Sequence, residues 1–299
     1  MLQNGVNFIN DCFDKGRVHR QRLWKDFGAN TTGVWGDMMF RNGQPPYDGR
    51  VGAALTFTPK VSTKNQSIYF PDIQATEKRY LFDVTLWFDQ STGSSILGPE
   101  NIEVFDLLGF YPLINGGDTE TQTFINTESL PRYTSGEGVY MALINHIAPQ
   151  TGIASATISY QNHLDQTKTL SFSINQQISL IEQGNFCASP TTTSVQTPSM
   201  YMMRADGDLG VKSVNSIKID SECGGFYCLY LVKPIAFLGI QGGNQLLGKN
   251  QTKQYPMLKT NSFNLPIIED GASLSFAIGR TGGGGVQRKI FGNFTFIWG

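Results

Sequence analysis

The sequence is poor in charged residues. Only 16% of its 299 residues are Asp, Glu, Lys or Arg, against about a quarter in typical soluble domains. The formal net charge is -1, so no overall field of either sign attracts nucleic acid or a membrane. Any such attraction has to come from a local patch.

Long apolar runs and clustered cysteines are also missing. No run reaches the roughly 18 apolar residues of a spanning helix, and the opening MLQNGVNFINDCFDKGR lacks the basic start, apolar centre and cleavage site of a signal peptide. We therefore expect neither a spanning helix nor conventional secretion. The four cysteines form no Cys-x-x-Cys pair, which predicts reduced, buried thiols and no zinc site, although a bridge between Cys223 and Cys228 stays open.

Sequence motifs of enzymes are equally scarce. The chain has no Gly-x-Ser-x-Gly, no His-Glu-x-x-His and no phosphate-binding loop with Gly-Lys-Ser/Thr. Glu100, Glu103 and Asp106 are close enough along the chain for a glycosidase pair to be conceivable. Asp206 and Asp208 share a turn, but the longer ligand series of a calcium loop is missing. We therefore expect no enzyme, no cofactor and no bound metal.

Alternating apolar and polar side chains are what the sequence has in abundance. The segments YLFDVTLWF from Tyr80, TLSFSI from Thr169 and ASLSFAI from Ala272 each place apolar residues at every second position. Turn clusters such as NGGDTET and RTGGGG separate such runs. With 40% hydrophobic residues to fill a core, the pattern predicts an all-β fold of sandwiches or barrels.

Three blocks of the sequence occur twice in the same order. ESLPRYTSGEGVYMALIN matches FNLPIIEDGASLSFAIG without a gap, so that Leu130 corresponds to Leu265 and Gly136 to Gly271. The three offsets are 132, 126 and 135 residues, measured from Tyr69 to Tyr201, Gly117 to Gly243 and Leu130 to Leu265. A near-constant offset predicts an internal duplication.

The duplication predicts two tandem jelly-roll-type β-sandwiches, at 31–165 and 166–299, each with roughly seven or eight short strands. An alternative boundary lies in the Thr-, Ser- and Pro-rich stretch CASPTTTSVQTPS from Cys187. Residues 1–30 are predicted to form a separate basic, amphipathic segment. It begins with a helix whose apolar stripe consists of Val6, Ile9 and Phe13, widened by Phe8 and Cys12. Gly16 is predicted to end this helix.

This N-terminal segment carries the local positive charge of the chain. One interpretation is that it packs against the first sandwich and that its arginines pair with acids of a neighbouring subunit. The other is that it contacts an internal membrane or packaged nucleic acid. The candidate contact residues are Lys15, Arg17, Arg20, Arg22, Trp24 and Lys25.

Several blocks of the chain resemble known viral proteins. GRVHRQRLWKDF, GAALTFTP, RADGDLGVKSVNSIKI, LPIIEDGASLSF and FGNFTFIWG are similar to segments shared by a set of bacterial-virus structural proteins. The predicted architecture resembles the double jelly-roll major capsid proteins of icosahedral viruses. That resemblance implies trimers whose six sandwiches form a pseudo-hexagonal tile.

Three functions follow from the sequence as hypotheses. The first is a self-assembling capsid protein, whose partners are further copies and other virion proteins and whose location is the virion after assembly in the host cytoplasm. The second is a decoration or head-associated protein of a tailed phage. The third is a carbohydrate-binding protein or glycosidase built on β-sandwiches.

Overall fold

The chain folds almost entirely into β-strands after one N-terminal helix, α1 (Leu2–Asp14). None of the helices in the described part of the chain has the length and hydrophobicity needed to span a bilayer. A short 3-10 turn covers Met38–Phe40. The computed structural model describes residues 2–28, 34–46, 53–60, 67–90, 100–147, 152–176, 183–189, 199–240, 250–256, 265–280 and 288–299.

The strands that follow α1 vary from two to sixteen residues. In chain order they are β1 (Val18–Gly28), β2 (Trp35–Asp37), β3 (Gly43–Gln44), β4 (Thr58–Pro59), β5 (Arg79–Gln90), β6 (Glu100–Asn115), β7 (Gln122–Thr123), β8 (Tyr140–Ile147), β9 (Gly152–Asn162), β10 (Thr167–Gln176), β11 (Ala188–Ser189), β12 (Val211–Ile219), β13 (Phe226–Ile240), β14 (Asn250–Pro256), β15 (Ile267–Ile268), β16 (Leu274–Arg280) and β17 (Arg288–Trp298). The prediction of an all-β fold with a short N-terminal helix is confirmed.

These strands form three antiparallel sheets. The first outer sheet has the order β14-β5-β17-β1-β3, with β15 beside β5. The second outer sheet has the order β11-β10-β9-β12-β7. The third, which we call the shared sheet, has the order β2-β16-β6-β13-β8, with β4 beside β6.

The first outer sheet and the shared sheet together have the strand order of a jelly roll. We letter the strands of this sandwich B to I along the chain, as β1, β2, β5, β6, β13, β14, β16 and β17. They then pair as B-I-D-G in the outer sheet and C-H-E-F in the shared sheet. The first jelly roll is therefore complete, and everything between β6 and β13 is inserted between its strands E and F.

The inserted strands build a second jelly roll in a circularly permuted order. Here β10, β12, β13, β6, β7, β8 and β9 take the places of B, D, E, F, G, H and I. Phe186 forms an isolated antiparallel β-bridge with Ile144 of β8 and so occupies the position of strand C. Apart from β1, which precedes residue 31, each jelly roll thus takes its strands B to E from one predicted repeat and its strands F to I from the other.

The repeated Leu-Pro turns lie in equivalent places. Leu130 precedes β8 and packs in the core of the second jelly roll, and Leu265 precedes β16 and packs against the core of the first. Gly136 and Gly271 both have positive φ angles, of +79° and +69°, a conformation that favours glycine. The matched positions therefore perform the same local task.

The two cores do not divide the chain at residue 165. Ile102 and Val104 of β6 pack in the first core, whereas Tyr111 and Ile114 of the same strand pack in the second. Residues on both sides of 165 contribute to each core, so neither 31–165 nor 166–299 encloses a sandwich of its own. These ranges stay a prediction about the sequence repeat.

Residues 18–28 correct the prediction of a separate N-terminal segment. They form strand B of the first jelly roll, paired with β17 on one side and β3 on the other. Buried and exposed side chains alternate in this stretch: Leu23 and Lys25 are buried, and Arg22 and Trp24 are exposed. A two-residue period is that of a strand and not of a helix. Helical structure ends at Asp14, before Gly16 with its φ of +68°.

Candidate functional site

The predicted contact residues on β1 divide between the two faces of the strand. Arg20, Arg22 and Trp24 are exposed on the outer face of the first outer sheet. Leu23 and Lys25 point the other way and are buried. Since neighbouring side chains of a strand point to opposite sides, the sequence spacing alone accounts for this division.

Lys25 is fully buried, so the prediction that it contacts a membrane or nucleic acid is wrong. Its Nζ donates hydrogen bonds to the backbone carbonyl oxygens of Arg41, at 3.2 Å, and Pro45. A buried ammonium is costly unless its donors are used, and these carbonyls use them. Lys25 therefore holds the segment around β3 against the sheet.

Lys15 and Arg17 are engaged in ion pairs within the chain. Lys15 Nζ lies 2.8 Å from Asp11, one helical turn back, and an Arg17 guanidinium nitrogen lies 3.3 Å from Glu77. The exposed Lys15 pair contributes little to stability, and the Arg17 pair is half-buried, but both pairs neutralise the charge. The positive charge of the predicted patch that remains unpaired is therefore that of the arginines on β1.

Helix α1 covers one end of the outer face of this sheet. Phe8 packs edge-on against Tyr80 with ring centroids 5.5 Å apart, and Phe13 packs against Phe82 at 5.7 Å. Of the predicted apolar stripe, Phe8 and Phe13 contact the sheet and Cys12 is buried, whereas Val6 is 54% exposed. The other end of the face, around Trp24, is left open by the helix.

A groove of about 410 Å³ lies at this open end. In the strand register Arg22 is opposite Asn293 and Trp24 is opposite Phe291. Gln44 of β3 completes the rim, and Gly292 lies in the groove as well. A Cβ atom on Gly292 would come within 2.2 Å of a backbone oxygen, so the close approach of β17 and β5 requires glycine there.

This face carries charges of both signs: the strand register puts Arg20, Arg22 and Lys289 on it together with Asp26 and Asp83. Arg20 and Arg22 form no ion pair with any residue that the structure describes. Lys289 of β17 is exposed and lies opposite Asp26 in the register. Because a guanidinium stays protonated at all ordinary pH values, the two arginines keep their positive charge.

Glu103 and Asp106, two of the acids considered for glycosidase chemistry, do not face a common cleft, and the side chain of Glu100 lies outside the described residues. Tyr201 donates a hydrogen bond of 2.8 Å to Glu103, and burial raises the pKa of this carboxyl to about 7. Asp106 is fully buried and accepts two bonds from Arg132, at 2.7 and 2.8 Å. Three positions apart on β6, the two carboxyls lie on opposite faces of the sheet.

The turn with Asp206 and Asp208 shows no sign of a cation site. Asp208 accepts hydrogen bonds from the Tyr160 hydroxyl and, at 2.7 Å, from the Asn162 amide. These contacts tie the turn to the end of β9. Within the described ranges no group of His, Cys, Asp and Glu side chains could hold a metal ion. All four cysteines are buried thiols outside any disulfide, as predicted, and Cys223 and Cys228 are not bridged to each other.

Sequence reasoning missed half of the groove. Gln44, Phe291 and Asn293 were not singled out, although alternation in KIFGNFTFIW does place Phe291 and Asn293 on the face opposite Ile290 and Phe294. That signal identifies an outward face. It does not reveal that β17 pairs with β1, which is what brings these residues beside Arg22 and Trp24.

Comparisons with known proteins give no family. No family model matches the sequence, and no curated protein does so either. Among solved structures, infectious bursal virus-derived T=1 particles align at 10% identity over 94% of this chain and 77% of that chain, with a TM-score of 0.20. The VP2 subviral particle of infectious bursal disease virus aligns at 11% identity over 94% and 80%, also at 0.20. At such TM-scores neither fold nor function follows from the likeness.

Proposed function

We propose that this protein is a structural protein of a virion, a capsid protein that associates with copies of itself to build a shell. The observation that carries the proposal is the pair of jelly rolls built on one shared sheet. Strands β6 and β13 run through both sandwiches, so the chain forms one wide body with little freedom between its halves. A rigid tile suits a repeating lattice better than a hinged pair of domains.

The surface supports self-association. It is weakly charged, and the centres of obligate interfaces are depleted in charge. It also exposes bulky apolar side chains, each between 46% and 61% accessible. These are Ile125, Leu164, Met203, Leu209, Phe237 and Ile267. The proposed unit is a trimer forming a pseudo-hexagonal tile, in line with the double jelly-roll resemblance of the sequence.

The proposed role also supplies partners and a location. The protein is assembled in the host cytoplasm and resides in the virion, in contact with its own copies and with other virion proteins. The proposed contacts with what lies beneath the shell, an internal membrane or the packaged genome, are Arg20, Arg22 and Trp24. Lys15 and Arg17, which are paired within the chain, have a lesser part in that contact.

Sedimentation velocity and electron microscopy of the full chain test the proposal. We expect trimers or closed shells, and we expect Phe237→Asp to weaken assembly because a charge replaces an exposed aromatic contact. Thr169→Asp, an exposed position on β10, serves as the matched control for adding a carboxylate. Circular dichroism has to show both variants folded.

Other outcomes distinguish the competing functions. Trimers that never form a lattice alone but bind a pre-formed shell support a decoration protein. Binding on a glycan array, or hydrolysis of a glycan, supports a carbohydrate-binding protein. A monomer that stays unassociated at micromolar concentration under all salt conditions contradicts the capsid proposal.

A further inference from the structure

The open end of the first outer sheet has two cations in a row. Arg20 and Arg22 are two residues apart on β1, which sets their Cα atoms about 6.8 Å apart on the same face. Neither has an ion-pair partner among the described residues. Arg22 lines the groove, and Arg20 lies beside it on the same face of β1. A row of cations that leads into a groove is an arrangement by which proteins follow the phosphates of an extended single strand.

Aromatic and amide groups stand directly beside these cations. Trp24 is 40% exposed and lies next to Phe291 in the strand register. Aromatic faces stack with nucleobases of any sequence, and the nearby amides of Gln44 and Asn293 provide donors and acceptors for base edges. The groove of about 410 Å³ is within the range of small-molecule sites, so a base and its sugar fit.

We propose that this groove binds single-stranded nucleic acid, with Arg20 and Arg22 on successive phosphates and a base stacked on Trp24. The concave shape favours a nucleotide over a bilayer, because a flat lipid surface would leave the groove unfilled. The inference deepens the proposed function and rests on it, since a shell protein with this face inward meets the packaged genome.

Fluorescence anisotropy with a labelled oligothymidine of roughly 15 nucleotides tests the proposal on the full-length protein. We expect binding at low salt that weakens as salt rises, by about 0.7 logarithmic unit per tenfold change in salt for each phosphate contact. The double change Arg20→Gln, Arg22→Gln is expected to reduce affinity at least tenfold and to lower this slope by about 1.4. Trp24→Ala is expected to cost roughly tenfold with the slope unchanged, and Trp24→Phe to retain most of the affinity.

The matched control removes two positive charges from the second jelly roll, with Lys168→Gln and Lys218→Gln. If the control weakens binding as much as the arginine variant, the attraction is non-specific and the proposal is wrong. It is also wrong if wild-type protein binds no oligothymidine at low salt, or if it sediments with vesicles containing phosphatidylserine and ignores the oligonucleotide. Since assembly is measured separately by sedimentation velocity, each of these failures leaves the capsid proposal standing.

Discussion

Replacing Glu103 by Gln tests how the shared sheet tolerates a buried carboxyl. Glu103 is 5% exposed, and its Oε1 accepts a 2.8 Å hydrogen bond from the Tyr201 hydroxyl. Burial raises its pKa from 4.5 to about 7, while the bond from Tyr201 acts in the opposite direction. A Gln side chain keeps the acceptor oxygen and the shape but has no charge to bury.

The sign of the effect follows from proton linkage. Between pH 4.5 and about 7 the folded protein holds a proton on Glu103 that the unfolded chain has lost. The contribution of Glu103 to the free energy of unfolding is therefore greatest below pH 4.5, decreases as the pH rises and levels off above about pH 7. At about 1.4 kcal/mol per pKa unit, the total loss is about 3 kcal/mol.

Urea denaturation at pH 5 and pH 8 measures this loss. We expect the Glu103→Gln variant to be more stable than wild type by about 3 kcal/mol at pH 8, and the difference to shrink markedly at pH 5. Glu120→Gln, at an exposed position, is the control and should leave the pH dependence unchanged. Parallel pH profiles for wild type and the Glu103 variant would refute the reasoning.

Three further predictions concern stability. Arg132→Ala leaves the buried carboxylate of Asp106 without its ion-pair partner, so we expect denaturation to show a loss of stability of about 3–5 kcal/mol. Arg132→Lys should lose an intermediate amount, because lysine cannot form the bidentate contact. Removing residues 1–15 deletes α1 and should leave both jelly rolls folded by near-UV circular dichroism and protease resistance. Removing residues 1–28 also deletes strand B and should unfold the first jelly roll; an unchanged protease pattern would contradict this.

Much of the strand content was accessible from the sequence. Local alternation placed Leu274, Phe276 and Ile278 on one face of β16, and all three pack in the first core. It was less accurate in β5, where Tyr80 and Phe82 were expected to share the inner face with Val84. Phe82 is an extra, unpaired residue in β5, at the register shift opposite Thr295 and Phe296. This bulge turns the rings of Tyr80 and Phe82 towards α1. A bulge of this kind depends on the partner strand and leaves no local pattern.

The sequence by itself determined which segments repeat and which side chains alternate along each strand. Leu130 and Leu265, or Gly136 and Gly271, have equivalent roles because similar local sequences form similar turns. Only the tertiary structure decided that the repeats exchange halves, so that β6 and β13 serve both jelly rolls. The same holds for the groove, where β17 returns from the end of the chain to lie beside β1. Alternation identifies the two faces of a strand, but it does not identify the neighbouring strand, because backbone hydrogen bonds are the same with any partner. The partner is therefore decided by which arrangement buries all of the apolar faces together.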